Sequence, residues 1–191
     1  GAHYRRHRAG STEPDRLTDS ERAYLAGRDE FSLATVGESG WPYVQHRGGP
    51  VGFLRVLDDA TLAWADFRGN LQYVSTGNLS GDDRGALIVL DHAARRRLKV
   101  YGYARVVAAA DDPELVARVA DPGYDAEVQR VVVVAVEGLD WNCPQHITPR
   151  FTAAQIAPRV AALQEEIEEL RRENARLRAG SGATGGGLPS R

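Results

Sequence analysis

The chain is poor in the residues that would anchor several kinds of site. It has a single cysteine, Cys143, which excludes an intramolecular disulfide and any multi-cysteine zinc or iron-sulfur site built from one chain. Lysine is nearly absent: of 24 basic residues only Lys99 is a lysine, and the rest are arginines, which favour planar, bidentate contacts with phosphate and carboxylate. No run of 18 apolar residues exists and no signal peptide is recognisable, so the expected location is the cytoplasm and no membrane partner is expected. Large charge of one sign is also missing. The 24 basic and 26 acidic side chains give a formal net charge of -2, which offers no global electrostatic reason to expect nucleic acid as a partner. Any phosphate must be bound locally.

What is present is a β-rich pattern. Residues 1–15 are polar and basic without apolar period and read as a loose arm. Thr18-Asp19-Ser20-Glu21 supplies helix-capping chemistry for a short helix ending near Gly27 or Arg28. From Phe31, FSLATVG, a turn at Glu38-Ser39-Gly40 and WPYVQHR predict a hairpin. VGFLRVL, TLAWAD, ALIVLD, RLKVYGYARVV and RVVVVAVEGLDW are further strand candidates. Residues 69–79 carry helix-compatible spacing, and PELVARVA over 113–120 opens with proline at a helix-start position. Many strands with few helices predict a closed or nearly closed antiparallel barrel.

The C-terminal stretch differs. Val160, Ile167 and Asn174 fall at a, and Ile156, Leu163, Leu170 and Leu177 at d, of a heptad seam. β-branched a residues, leucine at most d positions and one Asn at a specify a parallel two-stranded coil, in which Glu166 and Glu173 at g reach Arg171 and Arg178 at e of the partner. The alternative is one amphipathic helix packed on its own barrel. The expected organisation is therefore an arm over 1–17, a barrel domain over 18–155, a coiled-coil helix over 156–178 and a flexible tail over 179–191.

Two strings, HRGGPVGFLRVLDDATLAWADFRGNLQYVSTGN at 46–78 and WNCPQHITPR at 141–150, resemble a bacterial branch of the pyridoxamine 5'-phosphate oxidase-like, FMN-binding split β-barrel family. The resemblance covers roughly 18–155. It implies a mainly β fold with few helices and a homodimer with FMN in a groove between subunits. It further implies an FMN-dependent oxidoreductase acting on a small molecule.

By order along the chain, ADFRGN sits where the family has a strand end and loop beside the phosphate. This makes Asp66, Arg68, Gly69, Asn70 and Gln72 candidate cofactor residues. True pyridoxamine phosphate oxidases carry an Arg-Lys pair where this chain has Leu71-Gln72, so that substrate is not expected, and either Arg47 or Arg55 balances the phosphate or the phosphate is bound more weakly. Arg97 falls where the family places a polar side chain that reaches flavin from the second subunit.

In the second string Asn142, Gln145 and His146 converge beside Pro144 as hydrogen-bonding groups suited to the polar rim of the ring or to a substrate pocket. Two glycines after His46-Arg47 imply a bulge, a barrel corner or a close approach to a ligand. Cys143 with His146 lacks the further ligands of a metal site, and none is expected. Catalytic residues are not identifiable, since a flavin carries its own redox chemistry. A non-catalytic flavin or haem carrier, or a deazaflavin F420 reductase, are the alternatives on the same barrel.

Overall fold

The computed structural model describes residues 13–69, 72–142 and 145–182, without the side chains of 180–182. The chain divides into two units, 1–149 and 150–191. In the first, a short helix α1 (Asp19–Ala26) precedes strands β1 (Glu30–Val36), β2 (Pro42–Gly48), β3 (Arg55–Val56) and β4 (Thr61–Phe67). Helix α2 (Val74–Gly81), strands β5 (Arg84–Asp91) and β6 (Arg96–Ala108), helix α3 (Pro113–Val119) and strand β7 (Val128–Asn142) follow. All pairings are antiparallel, in one seven-stranded sheet of order β2-β1-β5-β6-β7-β4-β3. This is the mainly β, antiparallel architecture that the strand pattern predicts, in the split β-barrel form that the family resemblance implies.

The period-2 rule explains the core. Phe31 and Leu33 on β1, Leu87 and Val89 on β5, Leu98 and Val100 on β6, and Val132 and Val134 on β7 share the barrel interior with Trp64 of β4. β4 is buried on both faces. Leu62 and Trp64 enter the barrel, while Ala63 and Ala65 join Val131 and Val133 of β7 under Leu115 and Val119 of α3. Small residues on that outer face let α3 lie close to the sheet. Its own start is fixed by Asp112, whose carboxylate accepts from the Leu115 amide at 2.9 Å, with Pro113 in the first turn.

α1 begins with a capping box between Thr18 and Glu21. Glu21 also accepts a 2.7 Å hydrogen bond from the Trp141 indole, tying the helix to the end of β7. Burial pushes the Glu21 carboxyl up, but hydrogen bonds from the Thr18 hydroxyl, the indole and the Thr18 amide outweigh it and hold its pKa below the usual glutamate value. The Tyr24 phenol is buried beneath Arg28 and Arg96, and its pKa is pushed up to about 12 by burial. It donates to the carbonyl of Val89 at 3.0 Å.

Three sequence expectations change. VGFLRVL is a turn followed by a two-residue strand, because Gly52 takes φ +78 and donates to Arg28 O at 2.7 Å, which turns Phe53 and Leu54 together into the core. The end of the expected arm is held: the Asp15 amide donates to Glu137 O, the Leu17 amide donates to Asp59 O, and the Leu17 side chain is buried. The C-terminal helix, α4 (Ala153–Gly182), is longer than its heptad seam at both ends. It starts on a capping box in which the Gln155 amide donates to Thr152 Oγ1 and the Thr152 amide donates to Gln155 Oε1.

Candidate functional site

The two ends of the sheet order meet through side chains. β2 has a backbone ladder to β1 alone, and among the described residues none to β3 or β4. Across that seam, Arg47 of β2 donates to Asp66 Oδ1 of β4 at 2.9 Å. Asp66 stands opposite Arg130 in the β4–β7 register, and Arg130 Nε donates to its second oxygen at 3.0 Å. The β4–β7 register shifts immediately after Asp66, which ends the regular ladder at the point where the carboxylate is needed. Asp66, Arg47 and Arg130 expose 8%, 18% and 18% of their side chains, so two guanidiniums share one carboxylate in a half-dry setting.

The network extends on both sides. Gln45, one period before Arg47 on β2, accepts from Arg47 at 3.1 Å and from the Ser75 hydroxyl of α2 at 2.7 Å. Arg130 lies over the Tyr73 ring, its guanidinium carbon 4.4 Å from the centroid. Tyr73 stands at the N-terminal cap position of α2, where among the described residues no side chain caps the helix and no acidic residue occupies the first turn. These groups surround a groove of about 200 Å³, with Gln45, Arg47, Gln72, Tyr73, Thr76 and Arg130 as its polar walls and Phe53, Trp64 and Phe67 as its apolar ones. The groove carries one cation in excess, since Asp66 neutralises one of its two arginines. Arg47 Nε and Trp64 Nε1 are buried there without a hydrogen-bond partner among the described residues.

The structure brings His46, Arg47, Asp66 and Gln72 to this groove. Arg68 and Gly69 follow β4 on the exposed surface; Arg68 is engaged by Glu127 at 3.0 Å, and the hydrogen bond to that carboxylate raises its pKa. Asn70 lies outside the described residues, as do Cys143 and Pro144. Arg55 is elsewhere, 3.7 Å from Asp121. Arg97 and Asn142 face one another in the β6–β7 register, and Arg97 Nε and Asn142 Oδ1 are both buried without a partner among the described residues. Gln145 and His146 are exposed after β7, with His146 at φ +63. The twelve-residue candidate set therefore separates into several places on one chain.

Sequence reasoning missed Arg130, Gln45, Tyr73 and Thr76. Arg130 had a visible signal: it is the one charge at the head of the apolar run RVVVVAV, and a charge at such a position needs a partner. Among the described residues no group of three or more histidine, cysteine or acidic side chains is placed to hold a metal, and no helix is long and apolar enough to cross a membrane.

Comparison with known proteins fits this architecture. No curated protein matches the chain. Solved structures do. HupZ of Group A Streptococcus superposes with a TM-score of 0.50 at 17% identity, covering 66% of this chain and 99% of that one. A putative pyridoxamine 5'-phosphate oxidase from Lactobacillus delbrueckii gives a TM-score of 0.50 at 23% identity, over 68% of this chain and 97% of its own. An F420 reductase gives 0.45 at 20% identity, over 65% and 98%. At such identities the likeness is one of fold. The sequence itself matches the family described as pyridoxamine 5'-phosphate oxidase across residues 17–142, from the buried Leu17 to the last residue of β7, and the chain belongs to that family.

Proposed function

We propose that the protein is an FMN-dependent oxidoreductase that works as a homodimer, with the groove between β2, β4 and α2 holding the phosphate-bearing end of the cofactor. The observation that carries this reading is the Arg47–Asp66–Arg130 cluster beside the uncapped start of α2. Two guanidiniums against one carboxylate leave a net positive charge, and helix amides without a cap add N–H donors that favour an anion. The donors suit a phosphate monoester, and Tyr73 and Thr76 add hydroxyls at the same wall.

Size supports a shared site. A groove of about 200 Å³ is smaller than the roughly 300–1,000 Å³ of pockets that enclose a whole cofactor-sized ligand. One chain thus accepts one end of FMN, and a second chain would cover the remainder. Arg97, Asn142, Gln145 and His146 of a partner subunit are the candidates for the ring, the first two because they present buried, unpaired polar atoms side by side. When bound, the flavin supplies the electron and hydride chemistry, while the protein binds it, orients it and keeps water from it.

Titration of the apoprotein with FMN and with riboflavin, followed by flavin fluorescence, tests the reading. Arg130→Met is expected to weaken FMN by about tenfold to a hundredfold, the worth of a hydrogen bond to a charged group, and to leave riboflavin nearly unchanged. Equal losses for both ligands would move the phosphate elsewhere. A Soret band or a deazaflavin spectrum in the purified protein, with no FMN binding, would overturn the cofactor.

A further inference from the structure

α4 is a continuous helix of 30 residues, about 45 Å long at 1.5 Å per residue. Its apolar seam is exposed along its whole length: Ile156 46%, Val160 44%, Leu163 48%, Ile167 47%, Leu170 56% and Leu177 65%. Asn174 on the same seam is exposed as well. An amphipathic helix draws most of its stability from whatever its apolar face packs against. The composition of the seam and its flanks says what that is.

We propose that α4 pairs with α4 of a second copy of this chain as a parallel, in-register two-stranded coiled coil. Charge decides the orientation. Across a parallel pair each g residue meets the e residue five positions on, so Glu166 faces Arg171 and Glu173 faces Arg178, twice over by symmetry. In an antiparallel pair g meets g and e meets e, so none of these four Glu–Arg contacts forms. The polar a position agrees. In a parallel, in-register pair Asn174 meets Asn174 and the two amides hydrogen-bond, whereas an antiparallel pair or a slipped register buries each against an apolar residue without a partner.

The one proline inside the helix, Pro158, is compatible with this. It falls at f, opposite the seam, so its missing N–H and its ring lie on the solvent side of the coil. A partner of a different sequence is not required by any position, and the g–e pattern is complementary to itself. The proposal is independent of the cofactor, because it uses residues of α4 alone.

The test uses the full chain carrying Cys143→Ser and Leu163→Cys, oxidised in air and read on a non-reducing gel without added flavin. A d-position cysteine in a parallel, in-register pair meets its own copy, so nearly all of the protein should run as a disulfide-linked dimer. Adding Glu166→Arg and Glu173→Arg, both on the exposed surface, should lower that fraction at least tenfold. So should Arg171→Glu with Arg178→Glu, and mixing the two charge variants should restore it as a mixed dimer. Near-UV circular dichroism of each variant reports that the barrel is intact. Absence of the Leu163→Cys cross-link overturns the proposal. So does indifference to the charge reversals or failure of the mixture to recover. Preferential cross-linking of Leu163→Cys chains to Ile167→Cys chains, a d residue against an a residue, would show an antiparallel pair and overturn it equally.

Discussion

Asp66→Ala removes the carboxylate that joins β2 to β4 and β7, and its cost can be worked from the geometry. The substitution deletes one hydrogen bond from Arg47 and one from Arg130, each to a charged acceptor, and leaves two guanidiniums with 18% exposed side chains beside one another. Breaking a buried ion pair by removing one partner costs roughly 3–5 kcal/mol. Residual exposure and the remaining bond from Arg47 to Gln45 place this case at the low end, about 3 kcal/mol. For a protein of this size that corresponds to a fall in Tm of about 6–12 °C. Urea denaturation of the flavin-free protein by tryptophan fluorescence measures it, since Trp64 lines the same groove. Asp66→Leu with Arg47→Met should cost less than the two single substitutions together, because Asp66→Leu alone strands both guanidiniums, whereas the double change strands that of Arg130 alone. A loss under about 1 kcal/mol for Asp66→Ala, or strict additivity of the double variant, would mean that the cluster is solvated and does not hold the seam.

Gly102→Ala should destabilise the barrel by about 2 kcal/mol in the same assay, the usual cost of forcing atoms into a packed site. An added Cβ would sit 2.2 Å from Ala135 O where the β6–β7 register shifts. Tyr24→Phe should flatten the alkaline limb of the stability profile. With the folded phenol held at about 12 against an ordinary 10.0, wild-type stability is full below about pH 10 and is lost as pH rises toward the folded value, a loss the variant lacks. Glu21→Gln should shrink the acid limb. Its lowered pKa gives stability that is present above the ordinary value of 4.5 and disappears as pH falls through the folded one, so urea midpoints of variant and wild type should converge in acid.

Local chemistry was legible in the sequence, and contacts between distant segments were not. The β1–β2 hairpin could be read because alternation on both sides of Gly40 is a local signal, and Gly40 adopts the φ of +80 such a turn uses. The capping box of α1, the proline start of α3 and the heptads of α4 are likewise contained within a few turns. VGFLRVL misleads because an apolar run between Gly49-Pro50 and Asp58-Asp59 looks the same whether its side chains alternate or, as with Phe53 and Leu54, enter the core together. At the site, Arg47 and Asp66 could be named from the order of motifs. Their pairing depends on the seam between β2 and β4, and that of Asp66 with Arg130 on a register 64 residues apart. No window along the chain contains those facts.

The seam also sets which part of the barrel opens first. β5, β6 and β7 each have ladders on two sides, whereas β2 is released by breaking one ladder and its side-chain bonds to Asp66 and Ser75. Free energies of local opening fall where backbone bonds are few and exposed. The amides of β2 should therefore exchange with solvent before those of the central strands, and each such opening carries Gln45 and Arg47 away from the groove. A ligand held by Arg47 binds the closed form alone and stabilises it by mass action. Its affinity would be written in the exchange protection of β2, an edge strand held by one backbone ladder.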